Sequence, residues 1–197
     1  MTPPIPVTHL LYLHGFRSSP LSTKARKIAA WVAAEHPELV WRCPQLDASP
    51  RAAFAAIHHA SRGWPPERMA VIGSSLGGYY ATALAERTGC RAVLLNPAVE
   101  AARDLATQVG PTTAWHSGEP FEFRPEYVEE LRALAISAIT RPERYFAIVA
   151  KGDEVLSGQE MARRYAGARV KLLEGSDHAL SDFDEHWPDV QRFLGLA

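Results

Sequence analysis

The stretch RMAVIGSSLGGYYATALAERTG, residues 68–89, carries the main information on the fold. Its first part is a short, almost continuous apolar run, which is typical of a strand in a parallel sheet covered on both faces. Its second part has helical spacing from Leu76 and ends at Gly89, a residue type that commonly stops helices. The two parts meet at Gly73-Ser74-Ser75-Leu76-Gly77. The stretch therefore predicts a strand that turns sharply into a helix, with a serine in the turn.

The same alternation of apolar runs and helical segments extends along the chain. The predicted strands are residues 9–13, 39–43, 68–72, 91–95, 144–149 and 169–173. The predicted helical segments are residues 22–36, 49–63, 76–89, 125–139 and 181–196. This order favours an α/β fold, with a mostly parallel sheet of about six strands covered by helices on both faces. We expect one domain over residues 1–197, because a chain of this length holds one well-buried core.

Two local signals concern the last helical segment. Ser181 and Asp184 have the spacing of a capping pair, which predicts a helix start at Ser181. Pro188 is predicted to restart this helix rather than to lie inside it, because proline cannot donate the internal hydrogen bond.

Composition and charge narrow the class of protein. The formal net charge of -1 and the absence of a dense basic run exclude the electrostatic footprint of a nucleic-acid-binding protein. No apolar stretch is long enough to span a bilayer, and the proline-rich start, for which we expect a short extended arm, lacks the pattern of a signal peptide. The two cysteines, Cys43 and Cys90, are far apart and are expected to be free thiols of a cytoplasmic protein.

The longest gap between predicted strands is the segment 96–143. It contains turn residues interspersed with Trp115, Phe121 and Phe123. One interpretation is a flap over a binding site, in which these aromatic residues line a substrate pocket. The other is a loop that its aromatic side chains pin to the core. The sequence leaves both interpretations open.

The turn at Ser75 has the context of a catalytic nucleophile. Gly73-Ser74-Ser75-Leu76-Gly77 fits the pattern G-x-S-x-G, and a predicted strand precedes it while a predicted helix follows it. In this motif the central serine occupies a strained tight turn, so the flanking positions must be small. Ser75 is therefore the predicted nucleophile, and the alternative is a merely structural turn.

A serine hydroxyl needs a base and an acid that orients the base. Of the eight histidines, His178 follows the last predicted strand and is the predicted base. Asp153 follows the fifth predicted strand and completes the chain order serine, acid, histidine. Its neighbour Glu154 is a second carboxylate there, and Asp177 is disfavoured because it is adjacent to the histidine. These residues would meet at the carboxyl edge of the sheet.

An acyl-transfer site also needs donors for the developing oxyanion. The predicted donors are the backbone N–H groups of Leu76, which follows the nucleophile, and of Phe16, in the loop after the first strand. For the side chain of His14, in the same loop, we favour a bracing role.

The sequence offers little support for a metal or a cofactor. The segment DHALSDFDEH, residues 177–186, is rich in histidine and carboxylates but lacks the spacing of zinc hydrolases. No glycine-rich nucleotide-binding loop is recognisable. We therefore expect no metal and no cofactor.

Several blocks carry a family resemblance: LYLHGFRSSPLSTKA, IGSSLGGYYAT, LLNPAV, GDEVL, GSDHA and FLGL. In this order and spacing, from about residue 10 to the C-terminus, the chain resembles the YqiA/YcfP-type esterases, small bacterial proteins with the α/β-hydrolase fold. The resemblance implies esterase activity on short acyl substrates, with Ser75, Asp153 and His178 at the triad positions. Arg17, Leu180 and the 110–125 region depart from the family pattern.

These observations together predict a serine hydrolase, a carboxylesterase that acts on small-molecule, short-chain acyl esters. The short chain predicts a shallow site without a large cap. A thioesterase acting on acyl-CoA or carrier-linked acyl groups is the alternative enzyme, in which Arg17 could meet a phosphate. A non-catalytic binding module with the same fold is the alternative from another class. The sequence leaves the oligomeric state and the role of His116 undetermined.

Overall fold

The computed structural model describes residues 5–197. Six parallel strands form the central sheet: β1 (His9–Leu13), β2 (Val40–Arg42), β3 (Met69–Ser74), β4 (Arg91–Leu95), β7 (Tyr145–Ala150) and β8 (Arg169–Leu173). A separate antiparallel hairpin consists of β5 (Gly110–Thr113) and β6 (Pro120–Phe123). The strand order in the sheet is β2-β1-β3-β4-β7-β8. The order changes direction between β1 and β3, which is where parallel sheets open a crevice for ligands.

Helices cover both faces of this sheet. They are α1 (Thr23–Glu35), α2 (Pro50–Ala60), α3 (Leu76–Thr88), α4 (Ala101–Leu105), α5 (Pro125–Leu134), α6 (Gly158–Arg164) and α7 (Phe183–Leu194). Side chains of α2, α3, α5 and α6 contribute to one apolar core, and side chains of α1 and α7 contribute to the other. The predicted α/β architecture is thereby confirmed.

The continuous apolar runs of the strands follow from these two cores. In β1, Leu11 and Leu13 belong to the core on one face, while Leu10 and Tyr12 belong to the core on the other. Successive side chains of a strand point to opposite faces, so a strand covered on both sides must be apolar at every position. Each of these leucines contributes roughly 2 kcal/mol on burial.

The structure also contains elements that the sequence did not reveal. The segment 96–143 contains α4, the β5–β6 hairpin and α5, whereas only the last was predicted. The turn residues and prolines of the hairpin conceal its short strands, and α4 is barely longer than one turn. The short helix α6 was not predicted either, although Ser157 caps it by accepting a hydrogen bond from the Glu160 N–H at 3.3 Å.

Two expectations about the last helix were wrong. Helix α7 is continuous through Pro188, because its buried residues Phe183, Val190 and Leu194 hold one face against the core on both sides of the proline. Its N-cap is Asp182, and the Ser181 hydroxyl instead donates to Asp177 at 2.6 Å. The short polar side chains at this helix start compete for the same local hydrogen bonds, so spacing alone did not identify the cap.

Three further expectations concern the cysteines, the membrane and the N-terminus. Cys43 is half-buried, Cys90 is buried, and both are free thiols, as expected. Within residues 5–197, every helix is too short or too polar to cross a bilayer. The start of the expected N-terminal arm, residues 1–4, lies outside the described part of the chain.

Candidate active site

Ser75 occupies the sharp turn between β3 and α3, with backbone angles φ +55° and ψ -121°. A residue other than glycine rarely adopts a positive φ, so the surrounding structure must hold this turn in place. A Cβ atom on Gly73 would overlap the backbone of Gly77, and a Cβ atom on Gly77 would overlap the carbonyl group of Leu13. Glycine is therefore required on both sides of Ser75.

The structure brings the three predicted triad residues together at the carboxyl edge of the sheet. The Nε2 atom of His178 lies 3.0 Å from the Oγ atom of Ser75, and its Nδ1 atom lies 2.8 Å from the Oδ2 atom of Asp153. Both distances are those of hydrogen bonds. The imidazole therefore connects the serine hydroxyl with a carboxylate through its two ring nitrogens.

The environment of Asp153 favours the ionised carboxylate. Its side chain is completely buried. The Oδ1 atom accepts hydrogen bonds from the N–H groups of Val155 and Leu156, both at 2.8 Å. Burial opposes ionisation, but the hydrogen bonds from His178 and from these amides outweigh it and lower the pKa of Asp153. An ionised partner can orient the imidazole and stabilise its protonated form.

The two competing carboxylates serve the loop that carries His178. Asp177 accepts hydrogen bonds from the N–H and the hydroxyl group of Ser181, at 2.9 and 2.6 Å. Glu154 accepts a hydrogen bond from the backbone N–H of His178 at 3.0 Å. Neither carboxylate makes a hydrogen bond with the imidazole ring of His178 in the described part of the chain.

Sequence reasoning missed Asn96, which connects three parts of the site. It follows β4, is completely buried and has a φ of +42°. Its Oδ1 atom accepts a hydrogen bond from the Ala150 N–H at 2.8 Å. Its Nδ2 atom donates to the carbonyl groups of Asp177 and His178 at 2.9 and 3.2 Å. An asparagine directly after an apolar strand, at the edge where the other site residues lie, was the available signal.

The predicted oxyanion donors lie on the loop after β1 and at the start of α3. Within residues 5–197, neither the Leu76 N–H nor the Phe16 N–H donates a hydrogen bond to a protein acceptor. The loop after β1 lies close to the nucleophile, since a Cβ atom on Gly15 would be 3.3 Å from the Cβ atom of Ser75. Both amides are therefore available to a ligand at Ser75.

The side chain of His14 stabilises the loop after β1. It is buried, its Nε2 atom accepts a hydrogen bond from the Leu46 N–H at 3.1 Å, and its Nδ1 atom lies 3.0 Å from the carbonyl oxygen of Gly15. Burial lowers the pKa of His14 to about 4. A neutral imidazole fits both hydrogen bonds, with Nδ1–H as the donor, which agrees with the predicted bracing role.

A cavity of about 1130 Å³ opens at Ser75 and His178. Small-molecule sites commonly have volumes of roughly 300–1,000 Å³, so this cavity is larger than the shallow site expected from the short chain. Its apolar wall includes Ala98, Ala101, Leu105, Val155 and Leu156. Its polar wall includes Arg17, Ser18, Ser22, Thr23, Lys24, Lys27 and Ser181.

The predicted substrate-binding aromatic residues separate into two groups. Trp115 lines the cavity and is 67% exposed. Phe123 is buried in the core and Phe121 is half-buried, and both lie outside the wall of this cavity. They pack edge-on against Phe16, with ring centroids 5.3 Å apart in each case. The two phenylalanines therefore support the predicted oxyanion loop from outside the cavity that contains Ser75.

Arg17 attaches the β5–β6 hairpin to the same loop. Its Nε atom donates to the carbonyl oxygen of Thr113 at 2.6 Å, and its guanidinium lies 4.2 Å from the ring centroid of Trp115. The carbonyl oxygen of Arg17 accepts a hydrogen bond from the Trp115 N–H at 2.8 Å. Arg17 therefore attaches the hairpin beside the cavity, and its guanidinium, which the sequence left open as a phosphate ligand, is engaged by the hairpin.

No cluster of three or more histidine, cysteine, aspartate or glutamate side chains within residues 5–197 has a geometry suited to a metal ion. The two histidines of the segment 177–186 and its three aspartates are instead engaged with one another and with nearby residues. For example, His178 faces Asp153, and Asp182 accepts a hydrogen bond from the Ser176 hydroxyl at 2.5 Å.

Solved structures with the same architecture identify the fold class. A putative hydrolase from Agrobacterium vitis matches with 18% identity and a TM-score of 0.71 over 94% of this chain and 87% of its own. The mouse α/β hydrolase domain-containing protein 10 matches with 13% identity and a TM-score of 0.70 over 93% and 87%. One of the metagenome-derived lipolytic enzymes LipS and LipT matches with 17% identity and a TM-score of 0.68 over 98% and 96%. The chain has the α/β-hydrolase fold.

The family can be stated more narrowly. Residues 9–195 match the family described as Uncharacterised protein family (UPF0227), and the chain belongs to it. The match covers the chain from β1 to the end of α7. This finding confirms the YqiA/YcfP-type family that the sequence motifs predicted.

Proposed function

We propose that the protein is a serine hydrolase that cleaves small-molecule carboxylic esters through an acyl-enzyme, with Ser75 as nucleophile, His178 as base and Asp153 as orienting acid. The observation that carries the proposal is the continuous hydrogen-bonded path from the Ser75 hydroxyl through both nitrogens of His178 to the buried carboxylate of Asp153. Membership of a family with the α/β-hydrolase fold agrees with it, because this fold places such triads at the same sheet edge.

The first half-reaction transfers the acyl group to the enzyme. His178 accepts the Ser75 proton at Nε2 while the serine oxygen forms a bond to the ester carbonyl carbon. The carbonyl oxygen becomes an oxyanion, which the N–H groups of Leu76 and Phe16 stabilise. The intermediate then expels the alcohol, whose oxygen takes the proton from His178. The product is a Ser75 acyl ester and a free alcohol.

The second half-reaction returns the enzyme to its starting state. A water molecule takes the place of the alcohol, and His178 accepts one of its protons as the oxygen attacks the acyl carbon. The second tetrahedral intermediate breaks the bond to Ser75, whose oxygen recovers the proton from His178. The acid leaves, and the ionised Asp153 stabilises the imidazolium in both half-reactions.

The direct test is covalent labelling of the nucleophile. The wild-type protein is expected to react with a fluorophosphonate probe, and Ser75→Ala is expected to abolish labelling. Ser74→Ala is the matched control, because Ser74 also lines the cavity but is not bonded to His178. Absence of labelling in the folded wild-type protein would favour the non-catalytic binding module. Equal turnover of esters by wild-type and Ser75→Ala proteins would contradict the proposal.

The acyl group is proposed to be short. The cavity volume alone would admit a long acyl chain, but the charged side chains Arg103 and Asp104 lie beside the apolar wall. A long chain would bury some of these groups, which is unfavourable. Nitrophenyl butyrate is expected to be hydrolysed faster than nitrophenyl palmitate, and the opposite order would reject the short-chain preference. Parallel assays with butyryl-CoA decide between an esterase and a thioesterase.

We also propose a cytoplasmic location. The two free thiols, Cys43 and Cys90, are typical of a reducing compartment. Cell fractionation followed by immunodetection tests this location.

A further inference from the structure

The basic side chains that line the cavity differ in their partners. Lys27 forms an ion pair with Asp184 at 2.5 Å. Arg103 forms ion pairs with Asp104 and Glu160, at 2.7 and 2.8 Å. These charges are compensated by carboxylates of the protein itself. Arg17, as described above, is engaged by the hairpin.

Lys24 is different from these three residues. It lies on the first turn of α1, is half-buried, and donates a hydrogen bond to the carbonyl oxygen of Ala179. Within residues 5–197, no carboxylate lies within 4.0 Å of its ammonium group. An ammonium has three N–H donors, so donors remain available toward the cavity.

The surroundings of Lys24 are suited to negative charge. Burial lowers the pKa of Lys24, and the more distant Asp177 only partly offsets this effect. The first turn of α1 contains no acidic residue, and the Ser22 side chain makes no cap hydrogen bond. The Ser22 hydroxyl is buried without a partner within residues 5–197. The positive end of the helix dipole adds to the charge of Lys24.

The position of Lys24 places it near the leaving alcohol of the ester rather than near the acyl group. His178 must reach the oxygen of the leaving alcohol, because its Nε2 atom donates the proton to that oxygen. Ala179, which accepts the hydrogen bond from Lys24, is the next residue after His178. Ser22, Thr23 and Lys24 thus form a polar wall on the side of His178. The leaving group is expected to lie against this wall, and the acyl chain against the apolar wall.

We propose that Lys24 binds a carboxylate or phosphate on the alcohol portion of the ester, so that the preferred substrates carry an anionic leaving group. This inference rests on the proposed serine hydrolase function and assigns a substrate class to the same site. Lys24 is a specificity-determining residue in this proposal, and it has no part in the bond-breaking steps.

Matched aryl butyrates provide the test. In the wild-type protein, kcat/KM for 3-carboxyphenyl butyrate is expected to exceed that for the uncharged 3-carbamoylphenyl butyrate about tenfold. The gain is expected mainly in KM, because the Lys24 ammonium would make a charge-assisted hydrogen bond with the carboxylate but not with the amide. Lys24→Gln is expected to reduce this ratio to about one, and Lys24→Arg to retain most of it. Lys27→Gln is the control, because Lys27 already has Asp184 as its partner, and it is expected to keep the wild-type ratio.

Further substrates identify the anion and its side. An aryl butyrate with a phosphate in place of the carboxylate distinguishes the two anions. The anion with the larger Lys24-dependent ratio of kcat/KM, relative to the uncharged butyrate, is the preferred one. Phenyl hydrogen succinate carries its carboxylate on the acyl side of the ester. If Lys24 increased kcat/KM for this substrate as much as for 3-carboxyphenyl butyrate, the inference would be overturned.

The remaining outcomes separate this inference from the proposed function. A wild-type ratio near one, or an equal loss in Lys24→Gln and Lys27→Gln, would overturn the role of Lys24 while ester hydrolysis stands. A loss of the same size on both butyrates in Lys24→Gln would also overturn it, since it would indicate a disturbed His178 loop. Absence of Ser75-dependent hydrolysis of every ester would overturn the proposed function itself.

Discussion

The triad edge of the sheet and the β5–β6 hairpin are both parts of the cavity wall, but they are held in different ways. Ser75, Asp153 and His178 lie at the ends of strands or in loops that buried hydrogen bonds tie together. The hairpin is mostly exposed, and Phe16 and Arg17 attach it to the loop after β1. The residues of the proposed chemistry thus lie where buried hydrogen bonds hold the strand ends and loops in place.

This difference indicates which properties can vary independently. The turn at Ser75 admits only glycine at positions 73 and 77, where a Cβ atom would overlap the backbone of the turn or of β1, so a change there disturbs the strand ends. A change in the hairpin alters one wall of the cavity and leaves the strand ends in place. We therefore expect mutations at the triad edge to affect catalysis strongly, and mutations at the hairpin attachment to affect mainly substrate binding.

The largest effect is expected when the hydrogen-bonded path through His178 is broken. His178→Gln is expected to lower kcat for an aryl butyrate by about 10⁴-fold or more, because the Ser75 hydroxyl then lacks a base. Adding Ser75→Ala to His178→Gln is expected to cause little further loss, because the two residues act as a unit. Steady-state kinetics on folded proteins measure this. Losses that multiply in the double mutant would show that the two residues act separately.

A smaller effect is expected from Asn96, which positions the His178 loop. Asn96→Gly tolerates the positive φ but removes the three side-chain hydrogen bonds. We expect a loss of roughly 2–4 kcal/mol in the free energy of unfolding, from unsatisfied buried groups, and a fall in kcat of about 10²-fold, from a misplaced imidazole.

A matched control separates these two effects of Asn96. The Thr82 hydroxyl is also buried and makes hydrogen bonds at 2.8 and 2.9 Å, but its partners are Tyr165 and the Gly78 carbonyl group. Thr82→Val is expected to lower stability without the loss in kcat. Denaturant unfolding and kcat measured side by side provide the comparison. An Asn96→Gly protein with unchanged kcat would remove Asn96 from the positioning of His178.

The triad edge was also the part of the molecule that the sequence predicted best. The six sheet strands were recognisable as short, mostly apolar runs. The inner strands β1, β3, β4 and β7 are almost entirely buried because both faces of the sheet are covered there, whereas the edge strands β2 and β8 are partly exposed. Ser75, Asp153 and His178 could be selected because each follows such a strand, and parallel strands end at one edge. The pattern marks the position of Asn96 directly after a strand but not its role, because that role lies in hydrogen bonds to backbone groups that are distant in sequence.

The hairpin was the part that the sequence predicted least. Its two strands have four residues each and contain prolines and exposed side chains. Neither an alternating hydrophobic pattern nor a continuous apolar run therefore identifies them in the sequence. The aromatic residues of this segment were recognisable in the sequence, but the sequence did not show which of them point into the core and which point to solvent. Phe123 is buried in the core and Trp115 is exposed, although both lie in the same polar, turn-rich segment. Long-range packing against Phe16 decides this difference.

The pH dependence of the free energy of unfolding tests whether a neutral, buried His14 stabilises the predicted oxyanion loop. His14 is buried with a pKa lowered to about 4, whereas free imidazole titrates at about 6.5. The unfolded chain therefore binds a proton between these values while the folded protein does not. The contribution of His14 to the free energy of unfolding is therefore full above about pH 6.5 and decreases by about 3 kcal/mol as the pH falls toward 4.

The variant His14→Gln removes this titration while its amide can still accept the Leu46 hydrogen bond. Its free energy of unfolding is expected to lie below that of the wild type at pH 7.5, and this difference is expected to shrink by about 3 kcal/mol toward pH 4. His58→Gln, which removes an exposed imidazole, is the control. A pH-independent difference between wild type and His14→Gln, measured by denaturant unfolding, would contradict a neutral buried His14.

The smallest effect is expected at the attachment of the hairpin. Arg17→Gln removes the stacking on Trp115 and the 2.6 Å hydrogen bond to Thr113. Both contacts depend on the planar guanidinium, which even lysine could not replace. We expect faster hydrogen exchange in residues 110–123 and a rise in KM of about threefold. We expect kcat to stay nearly unchanged, because the two hydrogen bonds of the triad do not involve the hairpin. Arg124→Gln is the control, since Arg124 forms an exposed ion pair with Glu122, within the hairpin's own segment. If Arg17→Gln lowered kcat as strongly as Asn96→Gly, the hairpin would belong to the catalytic edge, and the separation between a rigid site and a variable wall would fail.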